Sequence, residues 1–135
     1  MDINEELQSL LETSFKHVMN QGKPSIGPSI GPKACMYKTD EGLHCAAYPF
    51  IKNYSPAMEG HAWHSLVRDF PNDIEPRAAK NRSFVSILQS VHDCSSSSHR
   101  DGKFIKTYLN LLKRQIERWN RMYPTKKVEM PNYDN

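Results

Sequence analysis

The sequence predicts an α+β fold, in which three or four helices pack on a small antiparallel β-hairpin or three-stranded sheet. Apolar residues recur at helical spacing in three segments, residues 2–20, 82–94 and 101–123. Between the first two segments, an Asp-Glu-Gly turn separates two short runs within residues 34–48, a pattern typical of a β-hairpin. The two kinds of pattern together predict helices around one small antiparallel element.

The length and composition predict one domain. The chain has 135 residues, which suits a globular unit over residues 1–123 followed by a polar C-terminal tail, 124–135. The net charge of +3 is too small to indicate nucleic-acid binding on its own. No apolar run approaches the roughly 18 residues of a membrane span, and the acidic N-terminus is unlike a signal peptide. We therefore expect a cytoplasmic protein with reduced cysteines.

The first helix has clear boundaries in the sequence. Asp2 is placed to cap it, with Glu5 three residues later, and Gly22 followed by Pro24 predicts its end. The next residues, 25–32, repeat the tetrapeptide Ser-Ile-Gly-Pro, and two Gly-Pro pairs exclude a helix there. This repeat is either a lengthened surface loop or a recognition arm.

The remaining elements follow in order along the chain. After the hairpin at 34–48, a short helix is expected over residues 59–70 and a polar linker over 71–81. The apolar helix 82–94 should be central, and a loop of serines separates it from the longest helix. Asp101 is expected to cap that last helix, residues 101–123.

Four motifs resemble those of a known group of proteins. They are QGKPSI at residues 21–26, CMYKTDEGLHCAAY at 35–48, SPAMEG at 55–60 and LQSVHD at 88–93. Their order and spacing resemble a family of small proteins encoded by tailed phages and prophages, over a little more than half of the chain. The resemblance implies a phage accessory gene and implies no particular reaction.

The chain also departs from that family pattern. The family usually continues its Cys-Ala strand with a small residue, a glycine and a second cysteine, whereas this chain has Ala47, Tyr48 and Pro49. A role that needs a cysteine pair at this strand end is therefore in doubt.

One candidate site combines Cys45, Glu59, His92 and Asp93. A cysteine nucleophile needs a base and a third group that orients the base. His92 on the central helix is a candidate base, but neighbours on a helix point about 100° apart, so Asp93 is expected not to orient its ring. The alternatives are that Cys45 is a buried apolar residue and that Glu59 caps a helix.

A metal site is the second candidate. His61 and His64 are spaced to share a metal on one helix face, and Cys45 is a further weak candidate. The chain has no Cys-x-x-Cys pair, which zinc sites usually show. We therefore expect no bound metal and no cofactor.

The last helix carries a basic face. Six cations against Asp101 and Glu117 give a net charge of +4 over residues 101–123, which leaves −1 for the rest of the chain. Such a face suits an acidic protein or a phosphate backbone, and it is also what an ordinary solvated helix presents. The candidate binding residues are Lys103, Lys106, Lys113, Arg114, Arg118 and Arg121.

The sequence favours a non-catalytic function. We expect a phage- or prophage-encoded accessory protein that binds and modulates a host macromolecule, for instance a defence component, in the host cytoplasm. A small enzyme or ligand-binding domain built on Cys45, Glu59, His92 and Asp93 is the first alternative. Nucleic-acid binding by the basic helix is the second.

Overall fold

The fold is all-α, so the α+β prediction is wrong. The computed structural model describes residues 2–27 and 35–133. Across these ranges the chain forms five α-helices and only isolated β-bridges, with no strand, sheet or hairpin. The helices are α1 (Ile3–Gln21), α2 (Trp63–Asp69), α3 (Pro76–Lys80), α4 (Arg82–Ser95) and α5 (Phe104–Met122). Short 3₁₀ turns lie at Tyr48–Phe50, Pro56–Met58, Pro71–Asp73 and Ser96–Asp101.

The first helix is confirmed, together with its caps. The Asp2 carboxylate accepts a hydrogen bond from the Glu5 backbone N–H at 2.9 Å, which satisfies one free donor of the first turn. At the other end, Gly22 has a φ of 70° and its N–H donates to the Val18 carbonyl at 2.9 Å. A left-handed glycine of this kind is a common helix stop.

The predicted hairpin is a chain reversal without strands. The turn itself forms, because the Thr39 N–H donates to the Leu43 carbonyl at 2.9 Å and Gly42 has a φ of 86°. Beyond it, Lys38 and His44 make one isolated antiparallel bridge. Residues 28–34, which include most of the repeated tetrapeptide, lie outside the described residues.

Side chains form hydrogen bonds with the backbone groups that would pair with each other in longer strands. The Glu59 carboxylate accepts from the N–H groups of Tyr37 and Lys38, at 2.9 and 3.1 Å. The Gln21 side chain bonds both the N–H and the carbonyl of His44, each at 2.9 Å. Because these groups are already paired, the ladder does not extend.

Three predicted boundaries differ from the structure. The helix expected over 59–70 begins only at Trp63, because Gly60 has a φ of 84°. The expected linker, 71–81, contains α3. Asp101 lies in a 3₁₀ turn and does not cap α5, which begins at Phe104.

Helix α4 is the centre of the core, as its broad apolar face indicated. It packs against each of the other four helices. Phe84, Leu88 and Val91 on α4 are buried, and the Phe84 ring meets Trp119 of α5 edge to face with centroids 4.9 Å apart.

The segment after α5 packs back on the helices. Val128 is buried in the core, and its N–H and carbonyl both bond the Asn120 side chain. The Gln8 side chain likewise bonds both backbone groups of Glu129. Residues 126–131 thereby join α1 to α5.

We predict that Leu88→Ala lowers the free energy of unfolding by about 2–5 kcal/mol, because the fully buried side chain leaves a cavity. Leu109→Ala is the matched control, since Leu109 is only partly buried and should lose clearly less. Urea unfolding followed by circular dichroism measures both. Equal losses at the two positions would contradict this assignment of the core.

Candidate functional site

A chain of buried and partly buried hydrogen bonds runs along one side of α4. The backbone N–H of Ser25 donates to Nε2 of His92 at 3.0 Å. A backbone N–H only donates, so Nε2 must carry a lone pair. The ring proton is then on Nδ1, which donates to Oδ1 of Asp93 at 2.9 Å. The fully buried His92 ring is therefore a fixed neutral tautomer with both nitrogens bonded.

Gln89 extends this chain to a second loop. Its Nε2 donates to the same Oδ1 of Asp93 at 2.9 Å, and its Oε1 accepts from the Ala47 N–H at 3.1 Å. Asp93 thus does orient the His92 ring, contrary to the expectation from helix geometry. Although neighbouring residues on a helix point about 100° apart, the Asp93 carboxylate still reaches Nδ1 of His92.

Cys45 is not accessible to a substrate from solvent. Its side chain is fully buried, and burial raises the pKa of its thiol far above the ordinary value. Cys35 is the cysteine that approaches the pair on α4, with its sulfur within 4.8 Å of ligating atoms of His92 and Asp93. Burial raises the pKa of the Cys35 thiol to about 11, so it stays protonated at neutral pH.

Glu59 acts as a clamp in the loop region. Besides the two backbone N–H groups of residues 37 and 38, its Oε2 accepts from the Tyr54 hydroxyl at 2.6 Å. It lies at the end of a 3₁₀ turn and does not cap a helix. The carboxylate therefore holds the chain reversal in place, and the capping interpretation is wrong.

The metal candidates are distributed differently from the prediction. Among the described residues, only Cys35, His92 and Asp93 bring three ligating atoms within 4.8 Å of one another. His61 pairs with Asp69 at 3.7 Å, and His64 is exposed on α2. Neither belongs to that cluster.

The tautomer of His92 works against metal binding in this cluster. A metal on Nδ1 requires a proton on Nε2, and ligating histidines usually donate that proton to an acceptor. Here Nε2 faces the Ser25 N–H, which is a donor. A metal would have to break this buried bond and deprotonate Cys35.

An open cleft of about 400 Å³ lies beside the network. The face of α4 that carries Ser86, Gln89, Ser90 and Asp93 forms one wall. The opposite wall comes from two loop segments, residues 35–37 and 60–63. The Asp93 side chain is 40% exposed here and supplies the carboxylate of the cleft.

Trp63 leaves a donor unpaired close to this cleft. Its ring is buried, and its Nε1 has no hydrogen-bond partner among the described residues. A buried unpaired donor costs about 1–3 kcal/mol. The polar groups of this wall are therefore less completely hydrogen-bonded than Gln89 and Asp93 on the α4 wall.

Five of the six predicted binding cations lie on α5, and the sixth, Lys103, directly precedes it. All six side chains are exposed. Within the described part of the chain, none has a carboxylate within 4.0 Å. The buried residues of α5 are Phe104, Tyr108, Leu112, Ile116 and Trp119.

Comparison with known proteins identifies no relative. None of the protein-family models, curated proteins or solved structures compared with this chain matches it. In the described ranges, no helix has both the length and the apolarity required to cross a membrane.

Sequence reasoning missed two features of this region. It named Cys45 where Cys35 approaches His92, and it did not assign Gln89 a role. The contact between Ser25 and His92 spans 67 residues, so no local pattern signals it.

We predict that the reduced protein does not bind Zn²⁺ at one ion per chain. The metal would need a free lone pair on Nδ1 of His92, and this nitrogen carries the ring proton. Isothermal titration with zinc chloride measures this. Stoichiometric binding by the wild type that is lost in Cys35→Ser and kept in the control Cys94→Ser would contradict the assigned tautomer. Cys94 is exposed and lies outside the cluster.

A second histidine group, His17 and His44, lies outside the residues that line the cleft. His44 stacks on Tyr48 with ring centroids 3.9 Å apart, and His17 bonds the His44 carbonyl at 3.0 Å. Partial burial, then the nearby charges of His17 and Lys38, lower the pKa of His44 below 6.5. Between that lowered value and about 6.5, the unfolded chain binds more protons than the folded one.

We predict that stability therefore falls as the pH drops through and below about 6.5, and that His44→Gln reduces this slope. Urea unfolding at several pH values from about 7.5 to 5.5 measures it. His99→Gln, at an exposed histidine, is the control and should keep the wild-type slope. An unchanged slope in His44→Gln would refute the prediction.

Proposed function

We propose that this protein is a non-catalytic binding protein that docks an acidic protein surface on the basic face of α5. The observation that carries the proposal is the group of six exposed cations without ion pairs in the described residues. A charge that is not neutralised within the chain remains available to a partner.

The arrangement of these cations supports a docking face. With successive residues about 100° apart, the five cations within α5 cover an arc of about 140°, directly opposite the buried stripe. Glu117 is the one acid of α5 within this arc. A predominantly basic face of this kind speeds the encounter with an acidic partner and makes it sensitive to salt.

The state of the candidate catalytic residues supports the non-catalytic part of the proposal. Cys45 is buried, Glu59 uses both oxygens on the loop, and both ring nitrogens of His92 are bonded. Of these four candidates only Asp93 lines the open cleft. A nucleophile, a base and a shared substrate space do not come together.

The aromatic residues favour a protein partner over nucleic acid. Tyr108 and Trp119, the large aromatics in the middle and last part of α5, are buried in the core. They are therefore not available to stack on bases, which single-stranded nucleic-acid binders usually do. The proposed setting is the one that the family resemblance implies, a phage accessory protein acting on a host macromolecule in the cytoplasm.

We predict that reversing Arg114, Arg118 and Arg121 to Glu weakens capture of an acidic host protein by about tenfold or more. The readout is affinity capture from bacterial lysate at low salt, with the retained protein identified and its affinity then measured in purified form. Wild-type capture should weaken strongly when salt is raised from about 50 to 300 mM.

The matched control reverses Lys16, Lys23 and Lys52, three exposed cations outside α5, and so changes the net charge equally. It should keep the affinity, while circular dichroism shows that both variants fold. An equal loss of affinity in both triple variants would show that net charge, and not the face of α5, determines binding. A duplex oligonucleotide that binds more tightly than any captured protein would favour the nucleic-acid alternative.

A further inference from the structure

The cleft beside α4 presents one carboxylate and no lysine or arginine. Its walls carry hydroxyl, thiol, amide and aromatic groups, and Asp93 is the one acidic residue among its lining residues. On the opposite wall, burial raises the pKa values of Cys35 and Tyr37, so both stay uncharged at neutral pH, and His61 lies 3.7 Å from Asp69, a carboxylate outside the cleft. With its histidine neutral, the cleft therefore carries a formal charge of −1.

The Asp93 carboxylate is held in a defined orientation. Oδ1 accepts from both His92 and Gln89, each at 2.9 Å. Two donors occupy the two lone pairs of that oxygen, and the Cys35 thiol is a further, weak donor to the carboxylate, so Oδ2 is the oxygen with capacity left for a strong donor. No lysine or arginine among the described residues lies within 4.0 Å of either oxygen.

We infer that this cleft binds a primary ammonium group, with Oδ2 of Asp93 as its counter-ion. A guanidinium prefers two parallel bonds to both oxygens of a carboxylate, and Oδ1 is already occupied. An ammonium is a compact charge that needs one strong acceptor and weaker ones around it. The hydroxyl groups of Ser86 and Ser90 lie on the same wall and are acceptors of that kind.

The shape of the cleft fits a small ligand or a single side chain. A volume of about 400 Å³ is within the range of small-molecule sites. Tyr37 and Trp63 on the opposite wall are buried, so they give that wall apolar bulk against which an alkyl chain can pack. The same chemistry fits a free alkylamine and the side chain of a lysine in a peptide.

Titration calorimetry with n-butylamine and with N-acetyl-lysine-amide tests the site and separates the two sources. We expect one ligand per chain for at least one probe, and binding of the capped lysine assigns the site to a peptide side chain. n-Butylguanidine should bind at least about tenfold more weakly than n-butylamine, since its second bond finds no free oxygen. n-Butanol, which lacks the charge, should not bind.

Asp93→Asn is the decisive variant. Its Oδ1 still accepts from His92 and Gln89, while an amide N–H₂ replaces Oδ2 and repels the ammonium. We expect the affinity to fall about tenfold or more. Asp40→Asn, at an exposed acid in the loop turn, is the matched control and should bind as the wild type does.

A second variant covers the case in which Asp93→Asn does not fold. Ser90 is exposed on α4, three residues before Asp93, so Ser90→Lys places an ammonium next to Oδ2 without changing the buried hydrogen bonds. This internal cation should abolish binding of the probe while the protein keeps its thermal midpoint. Undiminished binding in Asp93→Asn or Ser90→Lys, or no binding of either amine by the wild type, would overturn the proposal.

Discussion

The structure depends on hydrogen bonds from side chains of α4 to backbone groups of loops that are not paired in a β-sheet. Between α1 and α2 the chain runs through residues 22–62 with two short 3₁₀ turns and without an α-helix or strand in the part that the structure describes. Backbone N–H groups buried in such a region need partners. Through His92, Asp93 and Gln89, α4 bonds the N–H groups of Ser25 and Ala47, one on each side of the chain reversal. Removing one member would leave its partners buried and unpaired, so the network fixes the loops as a unit.

The helices could be predicted because their signals are local. Asp2 and Gly22 bound α1 through contacts with residues three or four positions away. The apolar periodicity of α4 and α5 reflects burial against the rest of the core, and a period can be read without knowledge of the partner. The loop reversal was misassigned as a hairpin for the converse reason. Its short runs and its turn satisfy the local pattern, but the groups that decide between a ladder and a loop are side chains of Gln21, Glu59 and Gln89, distant in sequence.

The difference between local and long-range signals also explains which site residues could be predicted from the sequence. It identified His92 and Asp93 as unusual polar residues on an apolar helix, and they are the centre of the network. It paired them with Cys45 because the family-like pattern places that cysteine on a strand and the histidine on the central helix. The approach of Cys35 instead depends on the path of the chain near Ser25, whose carbonyl accepts from the Met36 N–H. The exposed cations of α5 were identifiable because a charged stripe opposite an apolar one follows from the helical period alone.

The two surfaces proposed to bind partners differ in how strongly salt should affect them. The basic face of α5 consists of exposed charges spread along a helix of 19 residues, so its attraction acts over long distances and is screened at physiological ionic strength. The Asp93 carboxylate is half-buried, and two hydrogen bonds fix its orientation, so its attraction acts within the cleft. The net charge of +3 repels an amine from a distance, and added salt weakens that repulsion more than the short contact with Oδ2. Salt should therefore release a partner from α5 under conditions in which the cleft still holds its ligand, which means that one preparation of the protein can separate the two activities.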